Sequence, residues 1–195
     1  QCGPVDLLAQ CLAANAIADA RLRGGILSGE TGVALLAADG DGFCLLGHPG
    51  ASHALLVEPE RVHLFVIDSV AAEPRSALDP ANSLRHLAAL PEPLEVHSTA
   101  HIWQLGQLGC AAMLVGIAEA ALDLIVAYAQ VRETFGRKIG AWQAVRHPCA
   151  DMAVRVEAAR SQLWYAAAAI KKSRGDAQAH LDAAKHCANQ AALAN

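Results

Sequence analysis

A mainly α-helical protein with a small β region is what this sequence predicts, and three observations carry that expectation. Hydrophobic residues make up 54% of the 195 residues and aromatics only 4%, with Ala and Leu supplying most of the apolar content, a profile of close-packed helices rather than of a β-sandwich. From Gly32 to about His101 the chain breaks into short apolar runs bounded by turn chemistry. From about Trp103 onward the apolar residues return every third or fourth position, the period of a helix buried on one face.

Each element follows in order. Val5 to Arg23 places Leu8, Cys11, Leu12 and Ile17 at helical offsets, and Gly24-Gly25 reads as its stop. The runs Val33–Leu36, Phe43–Leu46, Ala54–Val57 and Val62–Ile67 read as strands. They are punctuated by Asp39-Gly40-Asp41-Gly42, Pro49-Gly50 and Glu58-Pro59-Glu60 and continue less clearly to Leu94–His97, a small antiparallel β region. Trp103 to Arg132 contains no proline and sets Leu108, Ala111, Ala112, Val115, Ala118, Leu122, Ile125 and Ala129 on one face. Val145, Cys149, Met152, Val156, Ala159, Leu163, Ala166 and Ile170 form a seam in steps of four and three. Pro148 should bend that helix unless it starts just before, and Lys171-Lys172 then Gly175 read as its end. A third helix is expected from about Ala179 to Ala194.

Several function classes are disfavoured. A net charge of −4 gives no footprint for a nucleic-acid backbone. The richest apolar stretch, Cys110 to Val126, is interrupted by Glu119 and Asp123, so no membrane span is expected. The six cysteines (Cys2, Cys11, Cys44, Cys110, Cys149, Cys187) form no Cys-x-x-Cys pair and read as buried, reduced thiols of a cytoplasmic protein. His97 and His101 are four apart but sit where the pattern reads extended or as a helix start, and no metal site is expected. The chain opens on Gln1, which fits a processed start or a longer parent chain.

Between the two long helices lies Val131-Arg132-Glu133-Thr134-Phe135-Gly136-Arg137-Lys138-Ile139-Gly140-Ala141-Trp142-Gln143. Read from residue types alone, it is an inter-helix turn whose arginine caps carbonyls. The alternative, which residue types alone favour less, is a loop whose Arg132, Thr134 hydroxyl and Gln143 amide hold a pyrophosphate or an adenine ring. Neither the Walker nor the dinucleotide glycine pattern is present. Glu157 and Arg160, three apart on a helix, read as a surface ion pair, and Asp151 as a packing or capping residue.

The combination Gly116-Ile117-Ala118-Glu119-Ala120-Ala121-Leu122-Asp123, Tyr128, Arg132-Glu133-Thr134-Phe135-Gly136, Ile139, Gln143-Ala144-Val145, His147, Ala150-Asp151-Met152 and Glu157-Ala158-Ala159-Arg160 resembles the acyl-CoA dehydrogenase family. The likeness is dense from about residue 109 to 169. Further upstream, Gly25-Ile26-Leu27-Ser28-Gly29-Glu30 is similar to the element that precedes the family's middle β-domain. The resemblance implies a remnant of an N-terminal helical domain at 1–31, a reduced antiparallel β-domain at 32–101 and an incomplete C-terminal antiparallel helix bundle at 102–195. It further implies FAD as cofactor and an acyl-CoA as substrate. Arg132 would face the FAD pyrophosphate of a partner subunit, Phe135 would pack near its adenine end and Gln143 would hydrogen-bond it, with Thr134, Ile139 and Trp142 as lesser contacts. A planar guanidinium suits two anionic oxygens at once.

The departures matter as much. Where the family carries Thr-Glu-Pro followed by Gly-Ser-Asp against the isoalloxazine ring, this chain reads Leu35-Leu36-Ala37-Ala38-Asp39-Gly40-Asp41-Gly42. Where one branch places its catalytic Glu, this chain has about Gly106, followed by Gln107, and no catalytic base is nameable. The missing contacts lie inside the sequence, which favours a degenerate subunit of a hetero-oligomeric, tetrameric bacterial acyl-CoA dehydrogenase. Such assemblies handle bulky CoA thioesters, including steroid side chains. The alternatives are a non-catalytic helical scaffold subunit and a flavin oxidase or monooxygenase of the same fold.

Overall fold

A computed structural model describes residues 4–40, 42–77, 82–98 and 100–195; Cys2 and Asp41, named above, lie outside them. The chain divides into two compact units, 1–106 and 107–195.

In the first unit the expected single N-terminal helix is two: α1 (Pro4–Ala16) and α2 (Ala20–Ser28). The break falls at Asp19, whose carboxylate accepts from the Leu22 N–H at 2.7 Å and so starts a new helix. Gly24-Gly25, expected to stop the helix, lies inside α2. The stop is Gly29, left-handed at φ 81°, whose N–H returns to the Ile26 carbonyl. Gly25 has a different reason to lack a side chain, because a Cβ there would come within 2.6 Å of the Thr31 hydroxyl.

Seven strands follow: β1 (Val33–Asp39), β2 (Gly42–Gly47), β3 (His53–Val57), β4 (Arg61–Val66), β5 (Glu73–Arg75), β6 (Ser83–Leu87) and β7 (Glu95–Ser98). Their order is β5-β6-β2-β1-β3-β4-β7. The expected all-antiparallel arrangement is corrected at one point, since β1 and β3 run parallel with Leu35 opposite Leu55, making the sheet mixed. The cause is that β2 pairs back on one side of β1 while the chain then crosses to lay β3 on the other. The Gly32 carbonyl pins that crossing by accepting from the Ser52 and His53 N–H groups, both at 3.2 Å.

Strand alternation sends the apolar residues to both faces. Val33, Leu55, Val62 and Leu64 pack with Leu12 and Ala13 of α1, with Ile17 of the connection that follows it, with Ile26 of α2 and with Ile102. Ala34, Leu36, Leu45, Ala54, Phe65, Ile67 and Leu87 form a separate cluster. Each fully buried Leu or Val stabilises by about 1.5–3 kcal/mol.

The second unit is built from α3 (Ala100–Val131, from residue 107 onward), α4 (Gln143–Lys171) and α5 (Ala177–Ala194). Its core is small-residue packing. Ala111, Val115 and Ala118 of α3 meet Val156 and Ala159 of α4 and Ala188 and Ala191 of α5, and Ala166, Leu181 and Ala184 form a second cluster with Leu108 and Ile170. Alanine at these crossings lets helices approach closely. The periodic faces read from the sequence are buried or half-buried, with Ala112 the exception, exposed on α3. Pro148 is carried within the second turn of α4. That helix is closed not at Gly175 but at Ser173, left-handed at φ 48°, with return bonds from Ser173 N–H to the Ile170 carbonyl and from Arg174 N–H to the Ala169 carbonyl.

Three further expectations change. The ion pair of Arg160 with Glu157 is present, but Arg160 also binds Glu119 and so ties α4 to α3; the Glu119 bond is the largest cause of its raised pKa. The described cysteines are free but not buried, since Cys11 is exposed and Cys44, Cys110, Cys149 and Cys187 are half-buried. And α3 is long and apolar enough, by length and composition, to cross a membrane, with a mean hydropathy of 2.0 and 17% of that window buried in this chain.

Candidate functional site

The segment joining α3 to α4 folds into a compact device. Arg132 closes α3 by donating its N–H to the Tyr128 carbonyl at 2.9 Å. Two short antiparallel strands follow, β8 (Glu133–Thr134) and β9 (Arg137–Lys138), with Thr134 opposite Arg137 and Glu133 opposite Lys138. Phe135 and Gly136 make the turn, both left-handed at φ 52° and 73°. The Ile139 N–H donates to the Arg132 carbonyl at 2.8 Å and fastens the base of the hairpin. A 3-10 turn over Ile139–Ala141 leads to Trp142, whose extended backbone starts α4 at Gln143.

All six residues singled out from the sequence are therefore brought into this one device. Arg132, Phe135 and Gln143 are exposed, Thr134 and Ile139 half-buried, and Trp142 is 37% exposed. Sequence reasoning missed Arg137, whose guanidinium carbon lies 5.7 Å from the centroid of the Trp142 ring; the signal was its pairing position in the shortest kind of hairpin. It also missed Gly140, where a Cβ would stand 3.0 Å from the Ala129 carbonyl oxygen, so the turn sits hard against α3. Beside it runs an open groove of about 580 Å³ lined by Ala129, Gln130, Val131, Lys138, Gly140 and Ala141.

The electrostatics are one-sided. Between residues 132 and 146 stand Arg132, Arg137, Lys138 and Arg146 against the single carboxylate of Glu133. A diphosphate fits such a donor set. Strand β1 makes no comparable offering: its residues 35–38 are aliphatic, and Asp39 accepts from the Cys44 thiol at 3.0 Å, the main cause of that thiol's raised pKa. At the place where a base was sought, Gly106 has no side chain and the Gln107 amide oxygen accepts from Gln178 at 3.2 Å. Among the described residues, no group of three His, Cys, Asp or Glu side chains stands together as a metal site.

Helices, sheet and hairpin are those of an acyl-CoA dehydrogenase fold in part, and residues 100–194 match the family model described as "Acyl-CoA dehydrogenase, C-terminal domain". Among individual relatives, "Acyl-CoA dehydrogenase FadE34" of Mycobacterium tuberculosis is 34% identical over 191 residues, covering 89% of this chain and 26% of that protein. An "Acyl-CoA dehydrogenase" of Bacillus subtilis is 51% identical over 63 residues, 32% of this chain and 17% of that protein. Of solved structures, the "Tcur3481-Tcur3483 steroid ACAD G363A variant" superposes with a TM-score of 0.77 at 24% identity, covering 98% of this chain and 62% of the other. Butyryl-CoA dehydrogenase from Megasphaera elsdenii gives 0.70 at 17%, covering 96% and 63%. At these identities the structures establish the fold alone. The chain spans about a quarter of FadE34 and under two thirds of the solved chains.

Proposed function

We propose that this chain is a subunit of a flavin-dependent acyl-CoA dehydrogenase that desaturates a CoA thioester at its α,β-bond, and that it contributes the FAD clamp across a subunit interface while the catalytic base is supplied elsewhere. The observation that carries the reading is the preformed cationic hairpin between α3 and α4, in the stretch matched by the family model. FAD, when bound, supplies the hydride acceptor. This chain's part is to hold and orient it: Arg132 pairs with the pyrophosphate, the Gln143 amide and the Thr134 hydroxyl hydrogen-bond the cofactor, and Phe135, Ile139 and Trp142 give apolar contact.

The aliphatic residues 35–38 and the missing carboxylate at Gly106 favour a hetero-oligomer, a tetramer in this proposal, whose other subunit type keeps the isoalloxazine contacts and the base. FadE34 is named an acyl-CoA dehydrogenase, which supports the family reading, and one structural neighbour is described with two chain designations and as a steroid ACAD, which supports a mixed assembly and a bulky acyl-CoA as substrate; a cytoplasmic location is part of the proposal.

The test is flavin content from visible absorbance, measured on this chain alone and co-expressed with the homologous subunit encoded beside it. The expected result is a colourless chain alone and a yellow mixed oligomer holding no more than one flavin for every two chains. Arg132→Ala should then lower flavin affinity by about a hundredfold, the loss of one charge-assisted pair. One FAD per chain bound by this protein alone would refute the shared site. A scaffold role is the second reading, favoured by the apolar surface that Ile117, Leu124, Tyr128 and Val131 leave uncovered on α3. It predicts an oligomer that assembles and keeps its flavin when Arg132 is removed.

A further inference from the structure

Trp142 is an unfavourable residue for the place it holds. It stands at the N-cap of α4 with an extended backbone (φ −84°, ψ 133°), and its side chain makes no capping bond. Ser, Thr, Asp or Asn there would accept an N–H of the first turn, which an indole, a donor without an acceptor, does not do. What the indole carries instead is Arg137, whose guanidinium carbon lies 5.7 Å from the ring centroid, within reach of a cation–π pair. The contact runs from β9 across the Ile139–Ala141 turn to the residue that opens α4. It is a side-chain tie between hairpin and helix, added to the backbone bond of the Ile139 N–H to the Arg132 carbonyl. Arg132 precedes the tied segment and Gln143 follows it directly.

We propose that Arg137 is a positioning residue of the clamp: resting on the Trp142 ring, it ties the hairpin to the start of α4 and so holds Arg132 and Gln143 at a fixed spacing. The inference rests on the subunit reading above and adds to it a division among the cations, with Arg132 paired to the ligand and Arg137 acting through Trp142. A clamp ordered before its ligand arrives binds it without the ordering cost of a loose loop. The N-cap of α4 gives up a capping side chain in exchange for that order.

The test is a double-mutant cycle on flavin affinity of the mixed oligomer, read beside amide exchange in this chain alone. Arg137→Met keeps the length and loses the cation; Trp142→Ser loses the ring and supplies the side-chain cap that α4 lacks. Each should speed exchange of the Ile139 N–H and weaken flavin binding about fourfold, the loss of one exposed cation–π pair. The double variant should also lose about fourfold, because either change alone breaks the tie, whereas two independent ligand contacts would lose about sixteenfold together. Trp142→Ser should at the same time slow exchange of the Val145 N–H, so that its flavin loss reports the tie and not a damaged helix start. Trp142→Phe, which keeps a ring under the guanidinium, should stay close to native in both measurements. Multiplying losses in the double variant would overturn the proposal, and so would native flavin affinity in both single variants or unchanged Ile139 exchange. If Arg132→Ala keeps its flavin, the parent reading fails, while Ile139 exchange still reports whether the tie exists. If Arg132→Ala loses flavin and the cycle is additive, the positioning role alone is refuted.

Discussion

Two hairpins of this molecule, one in each compact unit, have been put to opposite uses. The β1–β2 hairpin turns its residues inward, with Leu36 and Leu45 buried and Asp39 engaged with Cys44 of its own strand pair. The β8–β9 hairpin turns its residues outward, displaying Arg132, Arg137, Lys138 and Phe135 around a backbone fastened at its base. Both lie where the acyl-CoA dehydrogenase resemblance expects cofactor contacts. One has become sheet core and the other still looks like a binding surface. Side-chain chemistry, not backbone topology, separates them: the outward hairpin presents cationic donors and an aromatic ring, the inward one aliphatic side chains.

The largest break in that contrast should come from Gly42. A Cβ there would fall 2.5 Å from His86 Nε2 and 2.6 Å from the Leu87 carbonyl oxygen, and the second neighbour is backbone that cannot step aside. Gly42→Val should therefore destabilise the first unit by about 3 kcal/mol, read as an early transition in denaturant, and leave the helices of the second unit folded by amide exchange. A comparable substitution at Gly136 adds strain without a clash, since nothing lies within 4 Å of its Cβ position.

A finer cut tests the outward hairpin. Arg132→Lys keeps the charge and loses the planar two-pronged donor, so flavin affinity of the mixed oligomer should fall about tenfold, roughly 1.4 kcal/mol, against the larger loss expected for Arg132→Ala. Equal losses for Lys and Ala would mean that the guanidinium geometry is the whole contribution. No loss for Lys would reduce Arg132 to a point charge.

The sequence made the helical half legible because its signal is redundant: Val156, Ala159 and Ala166 recur at helical spacing and are buried as that spacing requires. Elements decided by a single residue were harder to read. Asp19 splits one expected helix by capping a new one, and Ser173 takes a left-handed stop that glycine was expected to fill. The parallel β1–β3 pair depends on where the chain crosses after Gly47, which alternation along a strand does not encode. At the site, residue types pointed to Arg132, Thr134 and Gln143. The conformation that exposes Phe135 was not legible, because local propensity argues against it.

The smallest expected effect lies in the inward-folding unit and depends on pH. His53, at the start of β3 and hydrogen-bonded to the Ser52 hydroxyl at 2.8 Å, has its pKa lowered from 6.5 chiefly by burial, with the charge of Asp68 opposing. A histidine whose folded pKa is depressed binds its proton more readily when unfolded. Its contribution to stability is thus complete above pH 6.5 and is lost as pH falls through the lower folded value. The first unit should accordingly lose stability between about pH 7 and 5 beyond what a His53→Gln chain loses, because glutamine keeps a hydrogen-bonding side chain and cannot titrate. Parallel denaturant midpoints for the two chains across that range would show that burial of the imidazole is not felt by the fold. Midpoints that converge as pH falls would show that the inward packing of this sheet, unlike the outward hairpin, is tuned by what it excludes from water.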